Sequence, residues 1–457
     1  MVRRRQAWTD FSAPVAALGS GPQREGRAPA WPFSFRQAFG LGEARPSLRR
    51  VGLALACVWV TAAGAAEPPA PFLPPLTGEV SGDFRSLEFP GAPKLHWKVA
   101  LRTGTAGQRV ADLTVEGPGA RLAVKAQLDA AANGTWELAA ADIGLPEFVA
   151  AFAPTLAPSL AGVTFTGHLV LTGAGVVEHG DWRGRVHFEL RDGAVRDDAN
   201  GWAVGGLTLR GDLGQLPGLA SDGPVFLAFR EAKGAGVAAR DGEIEFQFDA
   251  AQSVSVRRAT CVLLDGRVAL APFTVNPAQP EIRTTVEFTD LELTRIANLL
   301  PPVLTDAQGR VSGRMAMTWT PAGGWQPGQG RLQIKSGEWA SLKLSPQAGF
   351  LTSHVPKQLA LLPSWLGPLA RAFSPVNPAY ETLRAIEMGE TRLEVHTLEV
   401  GLQPEGDPNG RTARVVVIGR PATGEVVESV RFEINVVGPL ADVVRMGWEG
   451  RINAHTR

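Results

Sequence analysis

Residues 167–188 read GHLVLTGAGVVEHGDWRGRVHF, and residues 313–334 read GRMAMTWTPAGGWQPGQGRLQI. The two stretches share one frame, 146 residues apart. Gly167 leads alternating Leu169 and Leu171, then Thr172; Gly313 leads Met315 and Met317, then Thr318. Seventeen residues on, Gly184-Arg185 precedes Val186 and Phe188, and Gly330-Arg331 precedes Leu332 and Ile334. Ahead of each lies an apolar stretch opened by an Asp, 142–160 in one and 290–304 in the other. The period is two, that of a strand with one apolar face. A duplicated β-unit predicts a repeat-built architecture and a long surface in place of a single catalytic pocket. Chance is the competing explanation, since Gly fills 52 of 457 positions, but two equally spaced Gly-led pairs weigh against it.

The rest of the chain extends this pattern. Leu95, Trp97 and Val99 alternate with charged neighbours, as do Ile244, Phe246 and Phe248, and Val430, Phe432 and Ile434. Asn133-Gly134, Asp192-Gly193, Asp241-Gly242 and Asp265-Gly266 read as turns between strands. The fold class is therefore mainly β: an elongated, curved antiparallel sheet, greasy on one face and solvated on the other. Helical spacing is local. Phe148, Phe152, Leu156 and Leu160 fall four apart but are interrupted by Pro154 and Pro158. Leu293, Ile296 and Leu299 suit a short helix ending at Pro301-Pro302. Lys357 to Phe373 and Tyr380 to Met388 predict a mostly helical insert over 346–390, which covers a sheet edge or meets a membrane surface.

The N-terminus bounds the compartment. Arg49-Arg50, an uncharged run from Val51 to Ala66 and then Glu67-Pro68-Pro69 read as a secretory signal, with a short retained anchor as the alternative. The run is shorter than the roughly 20 residues a spanning helix needs. The organisation read from this is a leader and signal or anchor over 1–66, a Pro-rich tether over 67–78, a duplicated β-region over 79–345, the insert, and a β-segment over 391–457. An exported protein facing the periplasm, anchored or free, is expected. Cleavage leaves Cys261 as the one cysteine, so no intramolecular disulfide forms and its strand-like setting marks a structural thiol.

Charge and motifs remove several function classes. The first 50 residues hold nine Lys and Arg against three Asp and Glu, leaving 36 basic against 42 acidic residues in the remainder. That mildly acidic body gives no electrostatic basis for nucleic-acid binding. Seven histidines lack zinc spacing, and no phosphate-binding loop or nucleophile elbow occurs, so no metal, cofactor or catalytic residue is assigned. Glu178, His179 and Asp181 read as a polar loop. Glu243, Glu245 and Asp249 read as the solvated face of a strand. Trp182, Trp202, Trp319, Trp325 and Trp339 read as core and edge packing, with sugar stacking or a lipid interface as the alternative.

The segment VSVRRATCVLLDGRVALAPFTVNP (254–277), TTVEFTDLELTRIANLL (284–300) and GRVSGRMAMTWTPAGGWQPGQGRLQIKSGEW (309–339) resembles the YdbH-type proteins. These belong to the AsmA-like, bridge-like lipid transporters of diderm bacteria, some labelled a dicarboxylate transport domain. The likeness is best over 180–345 and extends from about 80 to 445. It implies a long curved sheet anchored at the inner membrane, whose apolar inner face holds phospholipid acyl chains passing between inner and outer membranes. It also implies that a small outer-membrane lipoprotein can pair with an open strand edge. This chain is shorter than familiar members; about 20 strands at roughly 4.8 Å give a groove on the order of 100 Å, which calls for a partner, an oligomer or another duty. On this reading Val186, Phe188, Ile244, Phe246, Phe248, Met315, Met317, Leu332 and Ile334 line the groove. An envelope scaffold that pairs strands with an outer-membrane client, and a β-solenoid enzyme acting on polysaccharide, are the competing functions.

Overall fold

The computed structural model of the chain describes residues 11–14 and most of 77–437. Strands β1 (Phe11–Pro14), β2 (Gly78–Phe84), β3 (Leu95–Thr103), β4 (Arg109–Gly117), β5 (Ala120–Leu128) and β6 (Gly134–Gly144) precede helix α1 (Leu145–Leu156). Strands β7 (Val163–Glu178), β8 (Asp181–Asp197), β9 (Trp202–Gly214), β10 (Ala220–Ser221), β11 (Val225–Gly234) and β12 (Val237–Phe248) come next. They are followed by β13 (Val254–Leu263), β14 (Gly266–Leu270), β15 (Phe273–Val275) and β16 (Ile282–Glu292), which enters helix α2 (Leu293–Leu299). β17 (Leu304–Gln308), β18 (Arg310–Thr320), β19 (Gly324–Gln333) and β20 (Ala340–Leu344) lead to helix α3 (Pro378–Glu387). β21 (Leu393–Leu402), β22 (Arg411–Pro421) and β23 (Val430–Val437) close the described chain.

All of these strands belong to one sheet, so the fold is mainly β, as the alternation predicts. From β2 to β9 each strand pairs antiparallel with the next. The meander continues through β11, β12, β13, β14, β16, β18, β19, β21, β22 and β23. β17 and β20 form a side branch joined to β21. Among the described residues, the one parallel pairing sets Phe11–Pro14, inside the expected leader, against β23. The signal or anchor segment and the tether lie outside the described residues, apart from the first residues of β2.

The two Gly-led stretches form two hairpins, β7–β8, which follows β6 and α1, and β18–β19, which follows β16, α2 and β17. Their registers differ. Leu171 opposes Phe188 and Gly173 opposes Val186 in the first, whereas Leu332 opposes Gly313 in the second. β7 runs six residues past Thr172 before turning, while β18 stops two past Thr318 at Pro321. The equal Gly spacing is thus not matched by an equal pairing.

Two expected turns are bulges within long strands. Asp192 (φ 51°) and Asp241 (φ 50°) lie inside β8 and β12, where register shifts occur. An Asp in the left-handed region followed by Gly suits a bulge as well as a turn, and here the strand continues past it. Asp265-Gly266 does turn, between β13 and β14. The Asn133-Gly134 hairpin forms, but Asp129 shapes it: its carboxylate accepts from the Ala131 and Asn133 amides at 2.8 Å each.

α1 runs through Pro154 and stacks Phe148 on Phe152 at 4.7 Å. α2 ends before Pro301-Pro302 as expected. Asn377 caps α3 by accepting from Ala379 N at 3.1 Å, with Pro378 as the first helical residue. Of the other expected insert helix, residues 360–373 lie outside the described residues, and Gln358 forms a bridge with Val376. α2 and α3 bury Leu293, Ala297, Leu383 and Ile386 in one core with Val286, Met317, Ile334, Val395 and Phe432. The sheet therefore curls around these helices at its C-terminal end.

Glu387 fixes that end. Its carboxylate is 2 % exposed and accepts from the amides of Gly349, Leu351 and Thr352 at 3.2, 2.7 and 3.1 Å and from the Thr352 hydroxyl at 2.7 Å. Glu387→Ala strands those donors and is expected to cost roughly 3 kcal/mol, against about 1 kcal/mol for Thr352→Ala. Urea unfolding of both variants reads the difference.

Candidate functional site

Residues opposite one another in an antiparallel pair share a face. Following opposites across the sheet gives an unbroken apolar row. Ala120 opposes Ile143, then Leu169, Leu190, Leu209, Leu227 and Ile244. The row continues through Ala259, Leu270, Val286, Met315, Gly330, Leu402 and Ala413. Every one of these fourteen positions is buried or half-buried. At about 4.8 Å per strand the row spans roughly 60 Å.

The nine expected lining residues distribute around this row. Ile244 and Met315 lie on it. Phe246 opposes Val225 and Val256 one step along, and Phe248 opposes Val254. Phe188 opposes Leu171 and Gly211. A Cβ at Gly211 would lie 2.8 Å from both the Phe188 ring and Val225, so the missing side chain lets those two meet. Val186 packs on the cluster of Val124, Trp136 and Leu138. Leu332 opposes Val400. Met317 and Ile334 are 8 % and 6 % exposed inside the helix-filled core, with Met315 on its margin. Ile244, Phe246 and Phe248 are half-buried and sit on β12, away from that core. All nine share the sheet's apolar side, with four carried by the C-terminal core region and the rest by the middle and N-terminal strands.

The opposite face carries paired charges. His187 meets Asp212 at 3.0 Å, Arg331 meets Glu399 at 3.0 Å, Arg414 meets Glu433 at 2.7 Å and Arg420 meets Glu394 at 2.6 Å. Glu243 lies 4.0 Å from Arg258, and Asp249 accepts from the Ser253 amide at 2.9 Å. Glu178 pairs with Arg183, and His179 occupies a turn with φ 52°. Among the described residues no cluster of His, Cys, Asp or Glu suits a metal. Cys261 is half-buried at the core margin, where burial pushes its thiol up.

Bulges in adjacent strands lie next to one another and form a crease. A Cβ at Gly167 would fall 2.8 Å from Gly193 Cα, and one at Gly193 would fall 2.7 Å from Leu207 O. Gly242 opposes Phe229, and a Cβ at Gly266 would meet Asp290 and Leu291 at 2.6–2.7 Å. Ion pairs stitch the far end. Asp265 takes Arg240 at 2.5 Å and Arg295 at 2.6 Å, and Asp290 takes Lys335 at 2.6 Å. The signal for this crease was present in the sequence: alternation continues past each bulge but changes parity.

A sheet with one continuous apolar side and one ion-paired side defines a class of mainly β proteins that keep a long oily surface apart from a wetted one. The particular family follows from comparison with known proteins: the model described as YdbH-like, intermembrane phospholipid transport protein YdbH, matches residues 68–369. The chain belongs to the YdbH-like family. No curated protein and no solved structure matches it.

The crease carries a pH dependence. The Arg295 guanidinium, reinforced by Arg240, holds the Asp265 carboxyl below the usual range, and Lys335 does the same to Asp290. A depressed folded pKa stabilises above the unfolded value of about 4 and is lost as pH falls through the folded value. Thermal unfolding at pH 7 and pH 3 is expected to show a smaller drop in midpoint for Asp265→Asn than for the parent chain.

Proposed function

We propose that this chain carries phospholipid between the inner and outer membranes of a cell envelope by holding acyl chains on the apolar side of its sheet. Family membership supports intermembrane phospholipid transport and an envelope location. The observation that carries the finer reading is the unbroken apolar row across fourteen strands. Each methylene moved from water onto such a surface gains about 0.8 kcal/mol. A two-chain lipid therefore resists escape to water. A step from Leu227 to Ile244 to Ala259 exchanges one hydrocarbon contact for another, so motion along the row is cheap. The charged face keeps the protein wetted and orients head groups outward.

The central strands are the part of this surface left for lipid. Ile244, Phe246 and Phe248, with Phe188 and Val186 beside them, are assigned to acyl-chain contact. Met317 and Ile334 close the C-terminal end, where the protein fills its own core, and Met315 and Leu332 form the margin between the two. The inner membrane and a small outer-membrane lipoprotein are the expected partners of the two ends, as the family resemblance implies. Among the described residues no helix is long and apolar enough to cross a membrane.

Phe246→Asp tests the assignment with its neighbour Glu245→Lys as control, because the two side chains point to opposite faces. Native mass spectrometry after mild purification is expected to show phospholipid on the parent and on Glu245→Lys, and roughly tenfold less on Phe246→Asp, the effect of about 1.4 kcal/mol. Equal lipid on folded Phe246→Asp would remove β12 from the path. Met317→Asp is unsuitable, since its burial makes unfolding the expected result.

A further inference from the structure

On the charged face, Trp339 stands out. It is 54 % exposed, at the start of β20. The Arg420 guanidinium lies over its ring at 5.0 Å, and His396 meets it edge-on at 6.0 Å. Beside it is a depression of about 390 Å³ lined by Gln308, Gly309, Trp339, Ala340, Ser341, Glu394 and Arg420. Its floor is kept low by small residues. Gly309 holds φ 115°, and a Cβ there would fall 2.9 Å from that of Ala340. The four polar lining side chains come from four strand regions: Gln308 from β17, Ser341 from β20, Glu394 from β21 and Arg420 from β22.

We propose that this depression binds a neutral sugar unit of a glycan. The charges decide between ligand classes. A cation over the ring meets Arg420 already seated there, which disfavours the aromatic recognition of ammonium groups. An anion finds Arg420 neutralised by Glu394 at 2.6 Å. A neutral pyranose needs neither charge: its C–H face packs on the part of the indole that stays exposed beside Arg420, and its hydroxyls exchange bonds with planar Gln308, Glu394 and Arg420 and with the Ser341 hydroxyl. The volume lies at the small end of ligand sites and fits one or two sugar rings. The site is on the face opposite the apolar row, so it goes beyond lipid carriage and stands or falls without it.

The test is saturation-transfer NMR on the full chain with tri-N-acetylchitotriose, maltotriose, methyl phosphate and tetramethylammonium as separate probes. Transfer to either sugar is expected, with affinity at least about tenfold weaker in Trp339→Ala. Trp339 is exposed, so the unfolding midpoint of that variant should stay near the parent's. Stronger transfer to N-acetylchitotriose than to maltotriose would identify an N-acetylated glycan as the source. Absence of transfer to both sugars, undiminished transfer in folded Trp339→Ala, or binding of methyl phosphate or tetramethylammonium in their place would overturn the proposal.

Discussion

Parity governs this protein. In a strand, adjacent side chains point to opposite faces, and ladder pairing fixes which residues of neighbouring strands stand together. A slip of one residue anywhere would turn an apolar face outward. The row from Ala120 to Ala413 survives fourteen strands because register shifts are absorbed by bulges, four of them marked in the sequence. At Arg191-Asp192, Arg240-Asp241, Arg257-Arg258 and His396-Thr397, two consecutive polar residues separate two apolar-face residues. The bulge places both polar side chains away from the apolar side. Leu190 and Gly193, and likewise Val256 and Ala259, therefore end buried on one side despite an odd separation.

That device explains what could be read from the chain. The strands, their antiparallel order and the apolar identity of Ile244, Phe246 and Met315 follow from period two, which depends only on local geometry. α2 and α3 were legible because Pro301-Pro302 stops one and Asn377-Pro378 starts the other. The bulges were misread because Asp-Gly satisfies a turn and a bulge through the same left-handed backbone; only the continued alternation after Asp192 and Asp241 separates them. The pairing register of the two Gly-led hairpins was not legible. Nothing in Gly167 or Gly313 tells that one hairpin turns six residues past the shared Thr and the other two, because turn position depends on Pro321 and not on the strand pattern.

The same limit applies to burial. Phe246 and Met317 look alike in sequence: each is a large apolar residue in the middle of an alternating strand. They differ because α2 and α3 fold back over the C-terminal strands, and that depends on contacts distant in the chain, such as Glu387 with residues 349–352. Glu387 itself gives no local cue, since a Glu near a helix C-terminus ordinarily faces water. A buried carboxylate with four donors is costly to assemble and rigid once formed. It separates a self-filled end of the sheet from a middle in which β12 keeps half-covered aromatic rings.

Exposed ion pairs across the other face contribute little stability each, with a median near 0–1 kcal/mol. Their number has a different use. A face whose cross-strand neighbours are His187 with Asp212, Arg331 with Glu399 and Arg420 with Glu394 cannot be buried without desolvating both members of each pair. That cost forbids the sheet from closing with its charged side inward and from stacking that side on another copy. The apolar side is then the one that the fold turns inward, as it does around α2 and α3. An exposed aromatic such as Trp339 on the charged side is the exception to that rule, and its polar surroundings suit a ligand that keeps its own hydroxyls hydrogen-bonded.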